Sequence, residues 1–83
     1  MIKMTIVKAL DGHCIECTFE NGETVIYDMS YVLTKSTPML DPLKDWEFFK
    51  RVFIEAGAPV WPNGYDLCPD AIWQRAHAPV GVT

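Results

Sequence analysis

The sequence predicts an α+β fold: an N-terminal three-stranded antiparallel meander, short middle helices, a small second strand pair and a C-terminal helix. Three features carry this. Ile15, Cys17 and Phe19 alternate with Glu16, Thr18 and Glu20, the period of two of a strand with one face buried. Asn21-Gly22 follows at once, the dipeptide that most favours a hairpin turn. Near the other end, Cys68-Pro69-Asp70 has proline and an acid where a helix begins.

In chain order, residues 2–9 mix β-branched residues with lysines and read as the first strand. Asp11-Gly12 turns the chain into a second strand, Cys14 to Phe19. A type I′ turn at Asn21-Gly22 then returns Thr24-Val25-Ile26-Tyr27, which sets Cys17 opposite Ile26 and Phe19 opposite Thr24. Asp28 is placed to cap a short helix over 29–33, Asp41 to cap one opened by Pro42, and Asp45 to cap one from Trp46 to Lys50. Val52-Phe53-Ile54 is β-branched and aromatic and reads as a strand, Ala56-Gly57-Ala58 breaks it, and Pro59-Val60-Trp61 answers it. Pro62-Asn63-Gly64 is a tight turn into Tyr65-Asp66-Leu67. On the last helix Ile72, Trp73 and Ala76 are expected to face the core. Residues 1–76 form one domain in this reading, with 77–83 as a fraying tail.

Composition narrows the function. At 83 residues there is room for one core, and 49% hydrophobic residues are enough to build it. Seven basic against eleven acidic residues give a net charge of −4, the wrong sign for direct nucleic-acid binding, and the basic residues are scattered. An acidic surface suits solubility and the steering of a basic protein partner. No stretch approaches the roughly 20 apolar residues of a membrane-spanning helix, and the start lacks the apolar run of a secretion signal. Three cysteines cannot all pair within one chain, so the expected location is cytoplasmic and reducing.

Chemistry-bearing arrangements are sparse. Cys14 and Cys17, beside His13, have the spacing of a zinc knuckle, but positions three apart on a strand point to opposite faces. Cys68 precedes a helix, where a thiolate is stabilised, yet its only histidine partners, His13 and His77, are distant in sequence. Asp41, Asp45, Asp66 and Asp70 could be taken for paired carboxylates, but proline neighbours and helix starts account for them. The five glycines are isolated and form no phosphate loop. No catalytic residue, metal or cofactor is expected.

Four segments nevertheless have a distinctive order: Ile15-x-Cys17-x-Phe19-x-Asn21-Gly22-Glu23; Tyr27-Asp28-Met29; Leu40-Asp41-Pro42-Leu43-Lys44-Asp45 with Glu47-Phe48-Phe49; and Val60 through Asp70, centred on Trp61-Pro62-Asn63-Gly64. Together they resemble the domain-of-unknown-function 2442 family of small bacterial proteins. Asn21 stands where aspartate is common, and Ala56-Gly57-Ala58-Pro59 replaces a more strand-like approach to Trp61, which predicts a shortened last pairing. The resemblance implies a compact α+β domain without assigned activity, and a partner-binding or antitoxin-like role; the regulatory role of relatives fused to a DNA-binding domain is not carried over.

The functional expectation is therefore a non-enzymatic protein-binding module. Trp61, Asn63, Tyr65 and Asp66, with Trp46 and Trp73, are the candidate contact residues, because aromatics on a rigid turn often anchor interfaces. The competing reading of Trp61 is a core residue. A homodimer through a free strand edge is a second use of such surfaces. The rival functions are a small acidic inhibitor, of phage type, that covers a basic groove, and a cysteine enzyme built on Cys68.

Overall fold

The computed structural model describes residues 2–77; the rest of the expected tail, 78–83, lies outside them. Strands β1 (Met4–Leu10), β2 (Cys14–Phe19) and β3 (Thr24–Asp28) form an antiparallel sheet in that order. Two 3-10 turns follow, Ser30–Leu33 and Asp41–Lys44, then the single-turn helix α1 (Trp46–Phe49). Strands β4 (Phe53–Glu55) and β5 (Ala58–Val60) make a second antiparallel pair, and helix α2 (Pro69–Ala76) closes the described chain. The α+β architecture expected from the sequence is the one observed.

The period of two in β2 does what it predicts. Ile15, Cys17 and Phe19 are buried on the inner face, where pairing adds Val7, Ala9, Val25 and Tyr27 beside them. Onto this face pack Met29, Val32, Leu43, Phe49, Trp61 and Ile72. Glu16 and Thr18 point the other way, in rows with Lys8 and Ile26 and with Ile6 and Thr24.

The register of the second hairpin differs from the expected one by one residue. Cys17 pairs with Val25, not Ile26, and Thr18, not Phe19, pairs with Thr24. The loop has three residues: the Gly22 amide donates to the Phe19 carbonyl at 2.9 Å, and the Phe19 amide donates to the Glu23 carbonyl at 2.8 Å. Only Gly22 takes a positive φ, +89°, so this is a turn closed by a left-handed glycine rather than a type I′ turn. The Asn21 side chain selects it by accepting the Glu23 amide at 3.0 Å. Trp61-Pro62-Asn63-Gly64-Tyr65 repeats the device: Gly64 (φ +90°) donates to Trp61, Trp61 donates to Tyr65, and the Tyr65 amide reaches Asn63 Oδ1 at 3.2 Å. The two-residue turn with positive φ at both positions occurs at Ala56-Gly57, at +52° and +82°, between paired Glu55 and Ala58.

Capping also departs in detail. Asp45 accepts the Glu47 amide at 3.3 Å, as expected of a cap. Asp28 accepts the Ser30 amide at 2.8 Å, one residue short of a true N-cap. Asp41 caps nothing. It sits inside its 3-10 turn and pairs with Lys44 at 2.7 Å, while Thr37 Oγ1 accepts the Leu40 amide at 3.1 Å. The expected inward face of α2 is corrected at one position: Ile72 is buried and Trp73 half-buried, but Ala76, in the last turn of the helix at the rim of the open groove beside β3, is exposed.

The two sheets are joined at the start of β1. The Met4 amide donates to the Gly57 carbonyl at 2.8 Å, and a side chain at Gly57 would meet Lys3 Cβ at 2.7 Å. Among the described residues, no helix is long and apolar enough to cross a membrane.

Candidate functional site

Of the candidate contact residues, Trp61 is corrected outright as a surface group. Its side chain is fully buried, its indole donates to the Phe49 carbonyl at 2.9 Å, and it tilts against Phe49 and Tyr65. A residue with no accessible surface cannot touch a partner. Asn63 is consumed by structure, with Nδ2 donating to the Met39 carbonyl at 3.0 Å and Oδ1 holding the Tyr65 amide. Tyr65 is half-buried, and Asp66 is exposed beside the bridge from Val60 to Asp66. Trp46 is exposed and lies edge-on to His13. Trp73 meets Phe19 edge to face and stacks on His77 at 3.9 Å.

The sulfur and imidazole groups are separated. Cys17 faces the core, where burial and then Glu16 push its thiol up to about 12; Cys14 is on the opposite face of the strand. His13 packs against Phe49 and lies 3.1 Å from the Lys44 carbonyl. Cys68 and His77 sit at opposite ends of α2, with His77 paired to Glu23. Asp41 and Asp45 each serve a local partner, and Asp70 accepts the Ile2 amide at 3.3 Å from the other end of the chain.

The fold assembles another site from residues that sequence reasoning did not join. A groove of about 430 Å³ runs beside β3, lined by residues of β3, the first 3-10 turn and α2. Tyr27 and Tyr31 meet edge to face at 6.4 Å in its wall. The Arg75 guanidinium lies over the Tyr27 ring at 6.0 Å, and the Lys35 ammonium over Tyr31 at 5.6 Å. Neither cation has an ion-pair partner among the described residues. Burial, then hydrogen bonding with Tyr27 and Tyr65, raises the Tyr31 hydroxyl above its ordinary value; Tyr65 itself packs against Trp61 and does not line the groove. Ile72 forms the apolar floor.

The backbone of β3 adds directionality. Glu23 and Met29, the residues flanking β3, bond toward the β2 side: the Glu23 carbonyl accepts the Phe19 amide and the Met29 amide donates to the His13 carbonyl just before β2. Alternation of an antiparallel ladder then turns Val25 and Tyr27 toward β2 and leaves the amides and carbonyls of Thr24, Ile26 and Asp28 pointing away from the sheet. No other strand among the described residues pairs there. Ile26 is 56% exposed on the outer face. Asp28 stays ionised below the usual carboxylate range, first because the Ser30 amide bonds to it.

The signal for this site was available in part. Tyr27-Asp28 belongs to the distinctive segments, and Thr24–Asp28 contains none of the lysines or prolines that guard exposed strand edges. Arg75 carried no signal, because only the crossing of α2 over the sheet brings it to Tyr27.

No curated protein and no solved structure is similar enough to match the chain. The profile of one family of proteins of unknown function, DUF2442, matches residues 4–78, nearly the whole length. The chain belongs to the DUF2442 family.

Proposed function

We propose that this protein is a non-enzymatic protein-binding module that seats an extended segment of its partner along β3. The observation carrying the reading is the line of backbone groups at Thr24, Ile26 and Asp28 that have no strand partner among the described residues, beside a groove walled by Tyr27, Tyr31 and Arg75. Main-chain groups at a strand edge supply affinity for an added strand, and neighbouring pockets read its side chains. Tyrosine and arginine are the residue types that dominate binding energy at interfaces. The net charge of −4 favours approach by a basic partner, with Asp28 at one end of the edge. A regulatory or antitoxin-like role, in which the partner's own surface is masked while bound, fits a domain of this kind.

The test is affinity capture from the native host using the intact chain and two variants altered at exposed positions, Ile26→Lys and Arg75→Glu. A stoichiometric protein recovered with the wild type and reduced more than about tenfold by both variants, at unchanged melting temperature, supports the reading. Absence of any stoichiometric protein, or equal recovery by all three chains, overturns it.

A further inference from the structure

The two edges of the three-stranded sheet are treated differently. The β1 edge carries Lys3 and Lys8, an irregularity in register between Met4 and Ile6, and the Gly57 carbonyl seated on the Met4 amide. Each of these blocks the addition of a strand. The β3 edge has no such device: five residues in regular register, without lysine, proline or bulge.

That edge is also complementary to itself. An antiparallel copy of Thr24-Val25-Ile26-Tyr27-Asp28 centred on Ile26 sets Ile26 against Ile26, Thr24 against Asp28 and Val25 against Tyr27. Thr24, Ile26 and Asp28 are the residues whose amides and carbonyls point outward, so every facing pair of these three exchanges hydrogen bonds in this register. No like charges face one another. The half-exposed Ile26 side chains cover each other on the outer face, and Val25 meets an aromatic ring across the strands, a favourable pairing. Shifting the register by two residues would set Thr24 against Ile26 and leave Asp28 without a facing residue; shifting it by one would set inward-pointing groups against outward ones.

We infer that the free protein pairs β3 with β3 of a second copy, antiparallel and centred on Ile26, joining two three-stranded sheets into one. The inference rests on the reading of β3 as a docking edge and adds its regulation: self-pairing and partner binding use the same backbone groups and exclude each other. The contact is one short strand from each copy, at the small end of specific interfaces, so the dimer is a weak one that yields to a tighter partner.

The experiment uses the purified full chain alone, by sedimentation equilibrium with amide exchange followed over a range of concentrations. A dimer is expected in which protection of the Thr24, Ile26 and Asp28 amides rises with concentration, while Val25 and Tyr27, already bonded to β2, do not change. Thr24→Lys, which faces Asp28 of the other copy, tightens the dimer severalfold, and Thr24→Asp weakens it severalfold. Both replace the hydroxyl that meets Thr18 at 3.1 Å, and the melting temperature of each variant is recorded beside the dimer equilibrium so that a difference in folding is told apart from a difference in pairing. The matched pair Ser36→Lys and Ser36→Asp, away from β3, controls for net charge and leaves the equilibrium unmoved. A chain that remains monomeric to about 1 mM overturns the inference, as does a dimer whose concentration-dependent protection lies elsewhere, or equal shifts from the two Thr24 variants. If the chain is monomeric and still captures a partner that Ile26→Lys loses, the self-pairing fails while the docking edge stands.

Discussion

The Trp61 indole donates to the Phe49 carbonyl across 2.9 Å, in a part of the core that solvent does not reach. This one bond ties the second hairpin to the end of α1, and the two rings tilt against each other at 5.7 Å. It explains why the most distinctive stretch of the sequence is not a surface. Trp61→Phe removes the donor and part of the ring, leaving the Phe49 carbonyl with only the long 3.4 Å bond from the Val52 amide. Denaturant unfolding is expected to show a loss of about 2–4 kcal/mol.

The two asparagine-glycine turns make a matched test of backbone conformation. A methyl group at Gly22 or Gly64 meets nothing within 4 Å, so Gly22→Ala and Gly64→Ala cost only the left-handed backbone, about 1–2 kcal/mol each by thermal or chemical unfolding. Gly57→Ala is more damaging than either, because the new methyl adds a collision with Lys3 to the same strain.

Ala56 points the other way. It holds φ +52° in a two-residue turn where asparagine is preferred. Ala56→Asn is expected to stabilise the protein by about 0.5–1 kcal/mol, read as a higher midpoint in urea.

Thiol accessibility separates the three cysteines. Cys68 is exposed, Cys14 intermediate and Cys17 buried. A thiol reagent should modify Cys68 at once and Cys14 more slowly, and should reach Cys17 only at the rate of unfolding. Reaction of native Cys17 as fast as Cys14 would contradict the burial of β2.

Burial of Cys17 also sets a pH dependence. Its thiol moves from an ordinary 9.0 to about 12, so the unfolded chain releases this proton first as pH rises. The associated stability is complete below 9.0 and is lost between 9.0 and about 12. Tyr31, also raised, acts with the same sign. Asp28 and Asp41 act oppositely: their carboxyls are lowered, by the Ser30 amide and by Lys44 respectively, so their contribution is present above 3.8 and fades as pH falls through their lowered values. Melting temperature against pH should decline on the alkaline side, and Cys17→Val should flatten that decline.

Features that depend on near neighbours were legible in the residues alone. Alternation in Ile15–Phe19 settled which face of β2 is buried, the Asn-Gly pairs settled where the chain reverses, and Pro69 with Asp70 settled where α2 begins. These are local preferences, and no distant residue is needed to express them. Even there the turn type escaped by one residue: a three-residue loop and a type I′ turn share the same dipeptide, and the Asn21 side chain on the Glu23 amide, with the Phe19 bonds to Gly22 and Glu23, closes the longer one. Only the packing of distant elements puts Trp61 in the core while Ile26 meets solvent, and brings Arg75 over the Tyr27 ring beside Tyr31. Tyr27 and Tyr31 are near neighbours in sequence and meet on their own, but Arg75 lies more than forty residues away and reaches them because α2 packs Ile72 and Trp73 onto the inner face of the sheet.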